Sequence, residues 1–185
     1  IFDYERISYL HFLTGSEYKD FKKTTEQIHS CMELCDGYFT STDTLGEEIR
    51  REFPGKPVVI NRNCASMEMQ ILSHDAVEQV EKDSEHISIG YFSGSKTHDQ
   101  DFEVAEEALL EVMKEHSEVR LKLVGVLSDR KMEKFGNKVE KLPFMDWKQL
   151  PSVMAGIDIN LMPLEDSIFH CSKSENKWME AALVK

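Results

Sequence analysis

The chain has 185 residues, enough for one large domain or parts of two, and a 41% hydrophobic content suffices to bury a core. Lys and Arg total 22 against 34 Asp and Glu, and the formal charge of -12 repels nucleic acid phosphates and anionic lipid headgroups, so nucleic acid is not expected as a partner. No apolar run is long enough to span a bilayer and no basic start with an apolar centre marks a signal peptide, so the visible sequence reads as cytoplasmic.

The first residue is Ile1 and the last stretch, "MEAALVK", falls within a helical pattern, so both ends read as cut from a longer chain. Residues 21 to 35 place Ile28, Cys31, Met32 and Cys35 at helical spacing, with Asp36-Gly37 as the stop. In that pattern Cys31 and Cys35 are expected to pack as small hydrophobes. Together with Cys64 and Cys171 they supply neither a C-x-x-C metal pair nor a disulfide framework. A strand in "YFTS" follows, then a helix in "TLGEEIRREF" opened by a Thr44/Glu47 capping box and ended by "PGKP". "VVI" at Val58 to Ile60 is a buried strand. Helix, strand, helix, strand is the order of a parallel α/β layer. Residues 1–62 are thus expected to close one such domain, and the polar stretch 63–85 to connect it to the next.

A second series starts at "ISIGYFSG", a strand with a glycine exit. Phe102, Ala105, Leu109, Val112 and Met113 then line one face of a helix. "RLKLVG", "VEKLPF" and "DINLMPL" supply three more strands, the last after the helical "WKQLPSVMAGI", and a final helix starts near Ser172. Residues 86–185 therefore predict an incomplete α/β domain with a doubly wound parallel sheet, whose ligands bind beyond the carboxyl ends of the strands. Three exits lie there: "FSGSKTHD", "VGVLSD" and "PLEDSIFHCSKSENKWMEAAL". Gly94 lets the chain turn close to a ligand, and a helix start offers unpaired N–H groups to an anion. "SGSK" and "SKS" suit the two ends of a diphosphate, while the same residues also serve as ordinary turns and helix caps.

Several blocks in register carry a resemblance. "ISIGYFSGSKTHDQDFEVAEEALLEVMKEHSEVRLKLVG", "LPFMDWKQLPSVMAGIDINLMPLED" and "KSENKWMEAAL" resemble the C-terminal domain of glycosyltransferase family 4 (group 1) enzymes of the GT-B fold, a Rossmann-like architecture. "MELCDGYFTSTDTLGEEI" and "VVINRNCAS" are similar to the end of their N-terminal, acceptor-side domain. The resemblance implies a hexosyl transfer from a nucleotide diphosphate sugar to a carbohydrate or lipid-linked acceptor, as in bacterial surface polysaccharide biosynthesis. It implies that Glu180 accepts hydrogen bonds from the nucleotide ribose, for which a carboxylate is suited because it can accept two at once. Lys96 and His98 fall where the family has its catalytic cations, which stabilise the leaving diphosphate. Gly94, Ser95, Lys173, Ser174, Glu175 and Lys177 complete the implied donor site.

Ser172 and His98 depart from the family pattern, which has Glu and a basic residue there, and Glu165 and Glu175 are the acidic candidates to replace the former. Asp99 and Asp101 have the Asp-x-Asp form that holds a metal in many sugar transferases, but at a helix start they read as capping residues. Neither metal nor cofactor is expected. The acceptor site and any catalytic base are expected outside this chain, which alone would bind donor and transfer little; peripheral membrane association is left open through those regions. Two other readings share the fold, a non-catalytic interaction or regulatory module and a sugar nucleotide epimerase.

Overall fold

The computed structural model describes residues 15–94, 99–128 and 130–185. They form two compact units, divided after residue 63, with 166–175 joining the first and 176–185 the second.

In the first unit, α1 (Gly15–Glu33) precedes β1 (Tyr38–Thr40), α2 (Asp43–Glu52) and β2 (Val58–Ile60), and α6 (Ile168–Cys171) joins from the later segment. β1 and β2 pair in parallel, Tyr38 opposite Val58 and Thr40 opposite Ile60, as a helical crossover requires. The cap of α2 is Thr42, two residues earlier than the Thr44 pattern suggested. Its extended backbone lets the hydroxyl accept from the Leu45 N–H at 3.2 Å while donating to the Ser172 carbonyl at 3.0 Å. Cys31 and Cys35 do not pack as core residues. Both are exposed, and Thr25 is the one buried residue among the described part of α1. The helix is instead fastened at its carboxyl end, where the Tyr38 hydroxyl donates to the Met32 carbonyl at 2.7 Å and Lys56 Nζ reaches the Met32 and Glu33 carbonyls. A cation there meets both the unpaired carbonyls and the helix dipole.

The second unit contains α3 (Met67–Gln79), β3 (Ile87–Ser93), α4 (Asp99–Glu115), β4 (Val119–Gly125), β5 (Val139–Leu142), α5 (Leu150–Ala155), β6 (Ile159–Leu161) and α7 (Asn176–Ala182). Short 3-10 turns cover Arg130–Lys138 and Trp147–Gln149. The stretch 63–85, expected as a polar connection, holds α3, capped by the Ser66 hydroxyl and packed against α5. Its buried stripe is Met69, Ser73 and Ala76, too narrow and too polar to stand out as periodicity.

The strands run parallel in the order β5-β4-β3-β6. Both faces are covered. On one, Ile89, Tyr91, Leu121 and Leu123 meet Phe102, Leu109 and Met113 of α4, the face that the sequence pattern marks. On the other, Phe92 and Val124 meet Ala76 of α3 and Met154 and Ala155 of α5. The chain builds outward from β3 through β4 to β5 and then returns to set β6 on the other side of β3. This is a Rossmann-like order, with its switch point between β3 and β6. Among the described residues no helix is long and apolar enough to cross a membrane.

Leu121 is 1% exposed at the centre of the sheet. Leu121→Ala is expected to lower the free energy of unfolding by about 3 kcal/mol, read as a fall in the urea midpoint.

Candidate functional site

A cleft of about 360 Å³ opens where the carboxyl ends of β3, β4 and β5 meet α5 and α7. Its floor comes from two register-paired exits. Ser93 ends β3 opposite Gly125 at the end of β4, and the Ser93 hydroxyl donates to the Val126 carbonyl at 2.6 Å. Gly125 has φ +99, and a Cβ there would stand 1.8 Å from the Ser93 carbonyl oxygen, so no other residue fits. Gly94 follows Ser93 at the rim, where an added Cβ would meet nothing within 4 Å.

The wall beyond β5 is apolar. Phe144, Met145 and Trp147 from the exit loop line it together with Leu150 and Met154 of α5. Asp146 in that loop accepts from the Lys148 N–H at 2.9 Å and so caps the turn that presents Trp147. From α7, Lys177 and Glu180 stand three residues apart, on the same side of the helix, and both line the cleft. Lys177 Nζ lies 5.1 Å from the centre of the fully buried Tyr91 ring, a cation–π contact. Burial, and then the charges of Asp101 and Asp99, push the Tyr91 phenol above its ordinary range. Partial burial raises the Glu180 carboxyl above its ordinary value, against the pull of Lys177.

Asp99 and Asp101 act differently from simple caps. The Asp99 carboxylate accepts from the Ser128 N–H at 3.1 Å, and that of Asp101, buried at 0% exposure, from the Glu165 N–H at 3.3 Å. The first turn of α4 thus holds the loops that leave β4 and β6. Among the described residues the group close enough to share a metal ion is His74, Asp75 and Glu78, all exposed on α3 and none of them lining the cleft.

The expected donor residues divide between the units. Gly94, Lys177 and Glu180 come together in the cleft. Lys173, Ser174 and Glu175 belong to the first unit. There Lys173 Nζ lies 4.8 Å from the centre of the Phe169 ring, Ser174 accepts from Asn63 Nδ2 at 2.7 Å, and Glu175 pairs with Arg62 at 3.6 Å. Ser95, Lys96 and His98 lie outside the described residues. The aromatic wall and Asp146 had no place in the sequence-based site, although "LPFMDW" is itself a strand exit and the same rule would have found it.

Fold and cleft together define the second unit as a Rossmann-like α/β unit with an open site at the carboxyl ends of its parallel strands. No known family model matches the chain, and a search of curated proteins gave no match.

Two substitutions separate scaffold from rim. Gly125→Ala is expected to cost at least about 2 kcal/mol of stability, whereas Gly94→Ala should stay within about 0.5 kcal/mol of the parent protein in chemical denaturation. Glu180 gives a pH-dependent test. Its raised folded-state value means that the unfolded chain releases this proton first, so stability is lost as pH rises through that window. Glu180→Gln should therefore melt higher than the parent at pH 7, with the gain vanishing below the ordinary value of 4.5.

Proposed function

We propose that this protein binds a nucleotide diphosphate sugar and serves as the donor side of a GT-B glycosyltransferase, which moves a hexosyl unit to a carbohydrate or lipid-linked acceptor in bacterial surface polysaccharide assembly. The observation that carries this reading is the Lys177–Glu180 pair, set beside the glycine exit of β3 in a cleft with an apolar aromatic wall. A flat base suits the slot between the β5 exit loop and α5. Glu180, held half-buried on a helix, can take both hydroxyls of a ribose at once. The diphosphate then falls towards Gly94 and Lys177, and the sugar towards the switch point between β3 and β6.

In the transfer, the bond from the anomeric carbon to the diphosphate oxygen breaks and its electron pair leaves with the nucleotide. The acceptor hydroxyl oxygen bonds to that carbon and passes its proton to a base supplied outside this chain. Lys177 stabilises the charge that grows on the departing diphosphate, the role that the resemblance also implies for Lys96 and His98. An ammonium fixed over the Tyr91 ring needs little reorganisation for that role.

Calorimetry of this chain with UDP, GDP and ADP tests the reading, with binding expected in EDTA as well as in magnesium. Glu180→Ala should weaken the bound nucleotide by roughly tenfold or more, as loss of hydrogen bonds to a charged group implies. Unchanged affinity would sink the ribose assignment.

A further inference from the structure

Among the described residues the cleft has three charged side chains in its lining, and two of them, Lys177 and Glu180, stand together on α7. The third, Asp146, stands between Met145 and Trp147 in the loop that forms the aromatic wall. Asp146 is itself exposed and caps the turn at Trp147–Gln149, so its carboxylate stands hydrated at the edge of the apolar lining. Its position is fixed. Oδ1 accepts from the Lys148 N–H at 2.9 Å, which orients the group and leaves Oδ2 and the second lone pair of Oδ1 to accept further hydrogen bonds.

Resting on the nucleotide reading above, we propose that the base of the donor is guanine and that Asp146 reads it. The chemistry discriminates at the Watson–Crick edge. Guanine presents N1–H and an N2 amino hydrogen side by side, two donors matched to the two oxygens of a carboxylate. Adenine presents the N1 lone pair at that edge, and cytosine its N3 lone pair, both of which a carboxylate repels. Uracil presents one N–H between two carbonyl oxygens, so one favourable contact brings two unfavourable ones. The ribose and diphosphate contacts through Glu180, Lys177 and Gly94 are common to all nucleoside diphosphates, which leaves the choice of base to the β5 exit loop.

Titration calorimetry of the chain with GDP, XDP, UDP and ADP at pH 7 tests this, with Asp146→Asn as the variant. Asn is as good a cap as Asp, so the turn at Trp147–Gln149 should stay formed, and a thermal melt checks it. The parent protein should prefer GDP over UDP and ADP by roughly tenfold to hundredfold, the discrimination expected of one bidentate pair to a base edge. Asp146→Asn should lose that preference and favour XDP, because the carboxamide still accepts from N1–H but offers an N–H to the C2 carbonyl of xanthine. UDP or ADP binding as tightly as GDP in the parent, or an unchanged GDP preference in the variant, overturns the guanine assignment and leaves the nucleotide reading standing. If none of the four binds, the nucleotide reading fails and takes the assignment with it.

Discussion

The carbonyl oxygen of Ser93 lies 1.8 Å from where a Cβ on Gly125 would stand, and the cleft depends on that closeness. Two parallel strands leave the sheet at the same level because they are paired in register to their last residues. The Ser93 hydroxyl then binds the chain just past Gly125, so that the exits of β3 and β4 form one floor. A side chain at Gly125 would push them apart. The first turn of α4 adds a second restraint, since Asp99 and Asp101 accept from the loops beyond β4 and β6. A rigid floor with a restrained rim lets loop residues hold a defined geometry.

Charge shapes this site more than the overall composition suggests. The chain is strongly acidic, yet the cleft holds a lysine whose ammonium rests on a buried aromatic face. A cation held in that way packs its stem against the ring while its head group lines the cleft. Glu180 shows the opposite compromise. Its ionised form is disfavoured by partial burial, so this cleft carboxylate is also a source of instability.

The regular elements were legible from sequence where burial on two faces wrote a simple pattern. "ISIGYFSG" is such a strand, and Phe102, Leu109 and Met113 mark the inner face of α4 at helical spacing, whereas "VVI", expected as a buried strand, forms β2 with Val59 exposed. α3 was not legible, because Ser73 interrupts its buried stripe. The 3-10 turns over Arg130–Lys138 carry no apolar period at all, and Gly136 at φ 54 breaks them midway. Cys31 and Cys35 misled because helical spacing gives a face but not its partner; α1 is tied by its end instead. In the candidate site, Lys177 and Glu180 were implied by the resemblance that "KSENKWMEAAL" carries, whereas the aromatic wall and Asp146 required knowing that β5 ends beside β4.

Residues 166–175 belong with the first unit through Thr42 to Ser172, Asn63 to Ser174 and Arg62 to Glu175. The path of the polypeptide therefore enters the second unit, returns to the first for ten residues, and enters the second again. Neither unit is a continuous stretch. A cut after residue 63 would strip the first unit of a segment that caps and pairs with it, and a cut before α7 would take Lys177 and Glu180 from the cleft. The two units are separable as packed bodies but not as lengths of chain. The helix that brings the charged pair to the cleft is thus joined along the chain to the rest of its own unit only through the first.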